Sequence, residues 1–221
     1  MNVIAAMKQR KSIRAYEARE VETDKIRRIL EAARHAPSGV NSQPWQVAVV
    51  SGQSKQRLQQ RLEAAFRNGE KAKMDYQYYP DRWEAPYKSR RLACGLKLYG
   101  ALGIERKDHQ RQTDQHAANF RAFDAPVMLL FFMDPIMSTG SYLDYGMFLQ
   151  SIMLAALEEG LATCPQASVA EYPQIVKQEL DYPENIILIC GMALGYANLQ
   201  HAINSYRTDR EDVEAFTKFF A

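Results

Sequence analysis

Pro37-Ser38-Gly39-Val40-Asn41-Ser42-Gln43-Pro44-Trp45 stands where a helical pattern stops and a strand pattern begins. Upstream, Ile26, Ile29, Leu30 and Ala33 recur at helical spacing, and downstream Gln46-Val47-Ala48-Val49-Val50 reads as strand. Two prolines, a glycine, two serines and an asparagine in nine residues predict a loop. Its serines and asparagine carry short hydrogen-bonding side chains, and Gly39 allows close approach of backbone to a ligand. An ordinary helix-to-strand connection would look the same, so this stretch fixes the chain's organisation before its chemistry.

Near the N-terminus lies Arg10-Lys11-Ser12-Ile13-Arg14. Three cations and a hydroxyl in five residues suit a phosphate, because guanidinium groups offer forked, charge-assisted donors. A solvated basic turn has the same composition. In combination with Pro-Ser-x-x-Asn-Ser-Gln-Pro-Trp about twenty-five residues later, the pattern resembles the nitroreductase family of flavin-dependent oxidoreductases. Further matches run from Arg10 to Arg210, so the resemblance spans nearly the whole chain.

That resemblance implies an α+β fold, with a central, mostly antiparallel sheet flanked by helices in an intertwined homodimer. It implies FMN at the subunit interface and NADH or NADPH as transient donor. The acceptors implied are small electron-poor molecules such as nitroaromatics or quinones, reduced in a ping-pong cycle. Residue by residue, Arg10, Lys11, Ser12 and Arg210 match the phosphate site, with Arg207 beside Arg210. Arg14 and Asn119 match positions at the polar edge of the isoalloxazine, where a positive charge favours the reduced, anionic flavin. Pro37, Ser38 and Asn41 match a loop against the flavin, serving the ring held mainly by the other subunit. Pro165-Gln166-Ala167-Ser168 matches the segment whose backbone N–H faces N5. Some relatives carry an acidic residue or glycine where this chain has Ala167 or Ser168. No side chain is assigned as a catalytic acid or base; the flavin carries the chemistry.

Composition agrees with one domain over 1–221. The chain has 221 residues, 47% of them hydrophobic and 24% charged. A net charge of +2 is too small to predict nucleic acid or membrane partners. Cys94, Cys164 and Cys190 are odd in number and lack metal-ligand spacing, so no metal is expected and the thiols read as reduced, in the cytoplasm. The N-terminal apolar run is too short for a signal peptide, and the most apolar segment, 142–157, falls short of a bilayer span. Cys164 reads as a packed thiol.

Further elements follow from periodicity: helices over 2–9, from an N-cap at Thr23 to about His35, over 54–68, 89–102, 141–160 and 172–180. Buried strands are expected over 127–133 and 185–193. The helix over 141–160 is apolar almost all round, which predicts burial against a second subunit as well as its own core. Residues 69–103 form an insertion dense in aromatics. Its Tyr76, Tyr79 and Trp83 are expected beside the flavin, selecting substrate by stacking. Residues 103–115 read as polar surface, His35 as a helix-end residue, and His109 and His116 as unpartnered. Residues 204–221 form a C-terminal arm whose Val213, Phe216, Phe219 and Phe220 dock on the partner.

No Ser-His-Asp order, HExxH, Walker loop or Gly-x-Gly-x-x-Gly at a strand-to-helix turn occurs, so nucleotide would bind on the flavin face. Two other classes fit the same scaffold: related flavin chemistry (reductive dehalogenation or flavin fragmentation) and a non-catalytic flavin-binding protein.

Overall fold

A computed structural model describes residues 2–220. Four strands, β1 (Gln46–Ser51), β2 (Val127–Met133), β3 (Ala162–Gln166) and β4 (Ile187–Gly195), form one sheet in the order β1-β2-β4-β3. Every pairing in it is antiparallel. Among the described residues are seven α-helices: α1 (Val3–Gln9), α2 (Thr23–Ala33), α3 (Gly52–Arg67), α4 (Tyr87–Ala101), α5 (His109–Ala117), α6 (Gly140–Glu158) and α7 (Pro173–Glu179).

The sheet separates two apolar cores, and β2 shows why. Successive side chains on a strand point to opposite faces. Met128, Leu130 and Phe132 enter the core under α3 and α7, while Val127, Leu129, Phe131 and Met133 enter the core under α2 and α6. All seven residues are buried, which is why the run is apolar without alternation. A register slip between Phe131 and Phe132 pairs them with Cys190 and Leu188, leaving Ile189 of β4 opposite no residue.

α6 is held against the sheet by Tyr145, whose hydroxyl donates to the Phe132 carbonyl and accepts from the Gln46 N–H at 3.0 Å. Its other side stands in water: Leu143 is 73% exposed. Phe216, Phe219 and Phe220 of the C-terminal arm are also exposed. The arm is tied back to α4 by ion pairs Lys97–Asp209 and Arg90–Glu211.

Two expectations need correction, the Thr23 cap and the unpartnered His116, and two elements, over 109–117 and 162–166, had no assignment. Thr23 is the first helical residue of α2 and not its cap; the chain is extended at Glu22, which takes the cap position, and the helix ends at Ala33. Residues 103–115 lie at or near the surface, as expected, and 109–117 form α5, because Asp108 caps its N-terminus and Arg111 bonds the carbonyls of Leu102 and Gly103, just beyond α4. His116 is partnered: its ring lies 4.8 Å from Phe66 and stacks on Phe120. Finally, 162–166 is a strand despite Pro165. It lies at the sheet edge, where the proline's missing N–H interrupts no interior ladder.

Candidate functional site

The Arg10-to-Arg14 segment leaves α1 and runs beside β3, the Ile13 N–H donating to the Thr163 carbonyl at 3.0 Å. The C-terminal tail returns to the same place through Asn204. This buried asparagine accepts from the Arg14 N–H at 2.9 Å and donates to the carbonyls of Ala15 at 2.9 Å and Asn198 at 2.8 Å. The Lys11 ammonium donates to the Asn204 carbonyl, and the Arg207 guanidinium to that of Gln9. Two ends of the chain are thereby clamped into one wall.

Between them lies a cavity of about 180 Å³ lined by Arg10, Lys11, Ser12, Arg14, Arg207 and Arg210, together with Cys94, Tyr206 and Thr208. Among the described residues, no carboxylate lines it. Partial burial and then the charges of Arg210 and Arg207 pull the Arg10 pKa down. Lys11 is lowered by burial and Arg207. Positive charges held close enough to repel one another, with a serine hydroxyl among them, suit an anion with several acceptor oxygens.

A second cavity, of about 350 Å³, opens farther along the same edge strand, where Pro165, Gln166 and Ala167 face Tyr76 and Tyr142 across Ile189 and Cys190. Strand β3 links the two. Ser12, Arg14 and Arg10 all act on the buried Cys164, whose thiol is pushed up by burial, and Gln166 follows two residues later. Two residues of strand span about 7 Å. The first cavity suits the anionic end of a ligand and the second a flat aromatic end.

Gln166 is held in place by Asn119. Its Nε2 donates to the Asn119 carbonyl at 2.6 Å, while its Oε1 is buried without a hydrogen-bond partner. Asn119's own side chain donates to the His116 carbonyl at 2.9 Å, at the end of α5. The structure therefore turns Asn119 towards a helix end, and its backbone supports the segment opposite Tyr76. Ser168 opens the 3-10 turn Ser168–Glu171 just beyond.

The Pro37-to-Trp45 loop lies elsewhere in the chain. Trp45 stacks on Phe148 of α6 at 4.5 Å, and the Gly39 N–H donates to Asp144 at 3.1 Å. Between these anchors, Val40, Asn41 and Gln43 take positive φ, and Pro37 and Asn41 face solvent. A β-branched residue at φ 47°, as Val40 is, stores backbone strain. Within one chain this loop, Ser38 included, lines neither cavity.

Tyr76 does reach the second cavity, with its ring 4.9 Å from Tyr142. Tyr79 and Trp83 do not line it. They continue an aromatic ladder outward, Tyr76 to Tyr78 at 6.2 Å, Tyr78 to Tyr79 at 4.6 Å and Tyr79 to Trp83 at 5.6 Å. Missed in the sequence were Asn204, Tyr206 and Cys94. The first two adjoin Arg207 in the tail, which was the available signal; Cys94 offered none.

A family model described as "Nitroreductase family" matches residues 7–196. The chain belongs to the nitroreductase family. Among curated nitroreductases, the 4-nitrobenzoate reductase of Pseudomonas putida is 35% identical over 215 residues, covering 97% of this chain and 94% of that protein. Among solved structures, the FMN and NADPH-dependent nitroreductase NfnB from Sphigopyxis sp. strain HMH superposes with a TM-score of 0.96 at 36% identity, covering 100% of both chains. The FMN-dependent NfnB from Mycobacterium smegmatis, solved in complex with NADPH, gives 0.93 at 32%, again over 100% of both chains. The α+β nitroreductase fold expected from the sequence is the fold of this chain. Among the described residues, no helix is long and apolar enough to cross a membrane, and no cluster of metal-binding side chains occurs.

Proposed function

We propose that this protein is an FMN-dependent oxidoreductase that draws hydride from NADPH and reduces nitroaromatic or similar electron-poor acceptors. The observation that carries this reading is the cationic cavity joined by β3 to the aromatic cavity. The first suits a phosphate and the second a flat ring. Bound there, FMN would supply the two-electron chemistry, taking hydride from the nicotinamide and passing it to the acceptor. NADPH as donor is supported by the two NfnB relatives, one NADPH-dependent and the other solved with NADPH bound.

The chain's own part is to bind, orient and shield. Arg10, Lys11, Ser12, Arg207 and Arg210 would hold the phosphate. Arg14 is fixed by Asn204 and by its hydrogen bond to Tyr206 at 3.2 Å, and would set a positive charge at the ring's polar edge. Gln166, Ala167 and Ser168 would line the ring, and Tyr76 would face it across the space that an acceptor enters. Asn119 would act through Gln166.

The working unit we propose is a homodimer. Pro37, Ser38 and Asn41 line neither cavity within one chain, and Leu143 and the C-terminal phenylalanines leave apolar surface uncovered. In a two-fold assembly, the loop of one protomer would cover the ring held by the other. Reduced thiols, two of them buried, suit the cytoplasm.

The test is the visible spectrum of the purified protein, followed by anaerobic addition of NADPH and NADH. A bound-flavin spectrum that bleaches, and recovers on adding 4-nitrobenzoate, is expected. A colourless protein that takes up no added FMN would overturn the assignment.

A further inference from the structure

The first half of the insertion, 69–86, contains no helix or strand, yet it is bolted to the sheet at one point. Lys177 of α7 is 2% exposed. Its ammonium donates to Asp75 Oδ1 at 3.0 Å and to the Glu184 carbonyl at 2.9 Å. The other Asp75 oxygen accepts from the Leu188 N–H at 2.9 Å. The next residue, Tyr76, donates its hydroxyl to the Ile189 carbonyl at 2.6 Å.

The position of these two bonds is informative. Below Gln166, which pairs with Gly191, β4 has no β3 neighbour, so its edge there is open. Ile189 is also the residue that the register slip leaves opposite nothing in β2. Bulges next to active sites leave a residue unpaired and re-aim what lies around it. Here the freed edge is taken by two consecutive side chains of the insertion. Burying a lysine is expensive unless its charge is paired and its donors are satisfied. Asp75 and Glu184 do both, so the lysine fixes where Asp75 sits, and Asp75 fixes where Tyr76 begins.

We infer that Lys177 is a positioning residue for acceptor recognition: through Asp75 it holds the Tyr76 ring against the cavity opposite Pro165, Gln166 and Ala167, where flat aromatic acceptors stack. The inference rests on the proposed function and deepens it. Beyond this anchor the aromatic ladder runs outward to Trp83, whose ring lies 5.3 Å from the Arg91 guanidinium of α4; the anchor is what ties Tyr76 itself to the sheet.

The test compares wild type with Asp75→Ala/Lys177→Met, which removes the pair without leaving a lone buried charge. Four quantities are read: FMN content, ferricyanide reduction at saturating NADPH (ferricyanide itself needs no stacking), KM for 4-nitrobenzoate, and trypsin cleavage at Arg82 in protein stripped of flavin. Unchanged FMN content and ferricyanide rate are expected. KM should rise about three- to tenfold, the worth of one aromatic contact. Cleavage at Arg82 should quicken about tenfold as the segment opens. Tyr76→Ala should raise KM by the same factor, and adding it to the double variant should change nothing further. Wild-type KM and cleavage in the double variant, or effects that multiply with Tyr76→Ala, would overturn the inference.

If the double variant does not fold, hydrogen exchange on the wild type decides. The Leu188 amide, whose N–H the Asp75 carboxylate accepts, should exchange at least about a hundredfold more slowly than amides at 81–85, and equal exchange would overturn it. Wild type that NADPH does not bleach would defeat the proposed function instead. The cleavage and exchange measurements do not depend on that activity.

Discussion

Arg10 and Arg210, from opposite ends of the chain, turn their guanidinium groups into one cavity, and after burial the charge of Arg210 is the largest cause of the lowered Arg10 pKa. Their repulsion is a standing cost in the free protein, relieved when an anion arrives between them. Arg10→Ala or Arg210→Ala should therefore weaken FMN binding about 10- to 100-fold, the worth of a charge-assisted hydrogen bond. Riboflavin, which lacks the phosphate, should bind wild type and variants alike. Titration by quenching of flavin fluorescence measures both. Variants that lose riboflavin and FMN equally would place the phosphate elsewhere.

Much of this was legible in the sequence because the responsible signals are local. The run Val127 to Met133 needs only its apolarity to announce a strand covered on both faces, and both cores close over it. The Arg10 and Arg210 segments carry their charges in compact motifs. What was not legible depends on neighbours distant in sequence. α5 has almost no apolar residue to set a period, and it stands because Asp108 caps it and Arg111 reaches back to the carbonyls of Leu102 and Gly103. β3 is short, holds a proline, and is a strand only because β4 lies beside it. The hydrogen bond from the Asn119 side chain to the His116 carbonyl depends on α5 ending beside it, which no local pattern announces.

Apolar surface on α6 predicts the assembly state. Leu143 stands 73% exposed on a helix whose other face is core. Leu143→Glu should leave the protomer folded and shift sedimentation from twice the chain mass to the chain mass, since a charge in a self-complementary two-fold interface is met by its own copy. Bound FMN should fall with it. A variant that sediments as wild type would remove α6 from the interface.

Glu179 predicts a pH effect of known sign. Hydrogen bonds from Arg61, at 3.0 Å, and Arg57, also at 3.0 Å, hold its carboxyl below the ordinary value of 4.5 and latch α7 to α3. A depressed carboxyl contributes stability above its unfolded pKa and loses it as pH falls through the folded value. Both arginines are substantially exposed, so the contribution is held to about 1 kcal/mol. Glu179→Gln should lower Tm by about 2 to 4 °C at pH 7, and the gap should close only below about pH 4.5. A gap constant from pH 7 to pH 3.5 would show that charge is not what latches the helices.

The separation of Asn41 from Arg210 within one chain makes the shared site testable by complementation. If the loop serves the opposite protomer, Asn41→Ala and Arg210→Ala damage different partners of each site. A mixed dimer carrying Asn41→Ala on one chain and Arg210→Ala on the other then has both defects in one site and none in its twin. Isolated with two affinity tags, it should hold about half the wild-type FMN, all of it at wild-type affinity. Were the loop to act within its own chain, each site would carry one defect, and no wild-type affinity would remain. A titration of the mixed dimer, biphasic in the first case and uniformly weak in the second, separates the two arrangements.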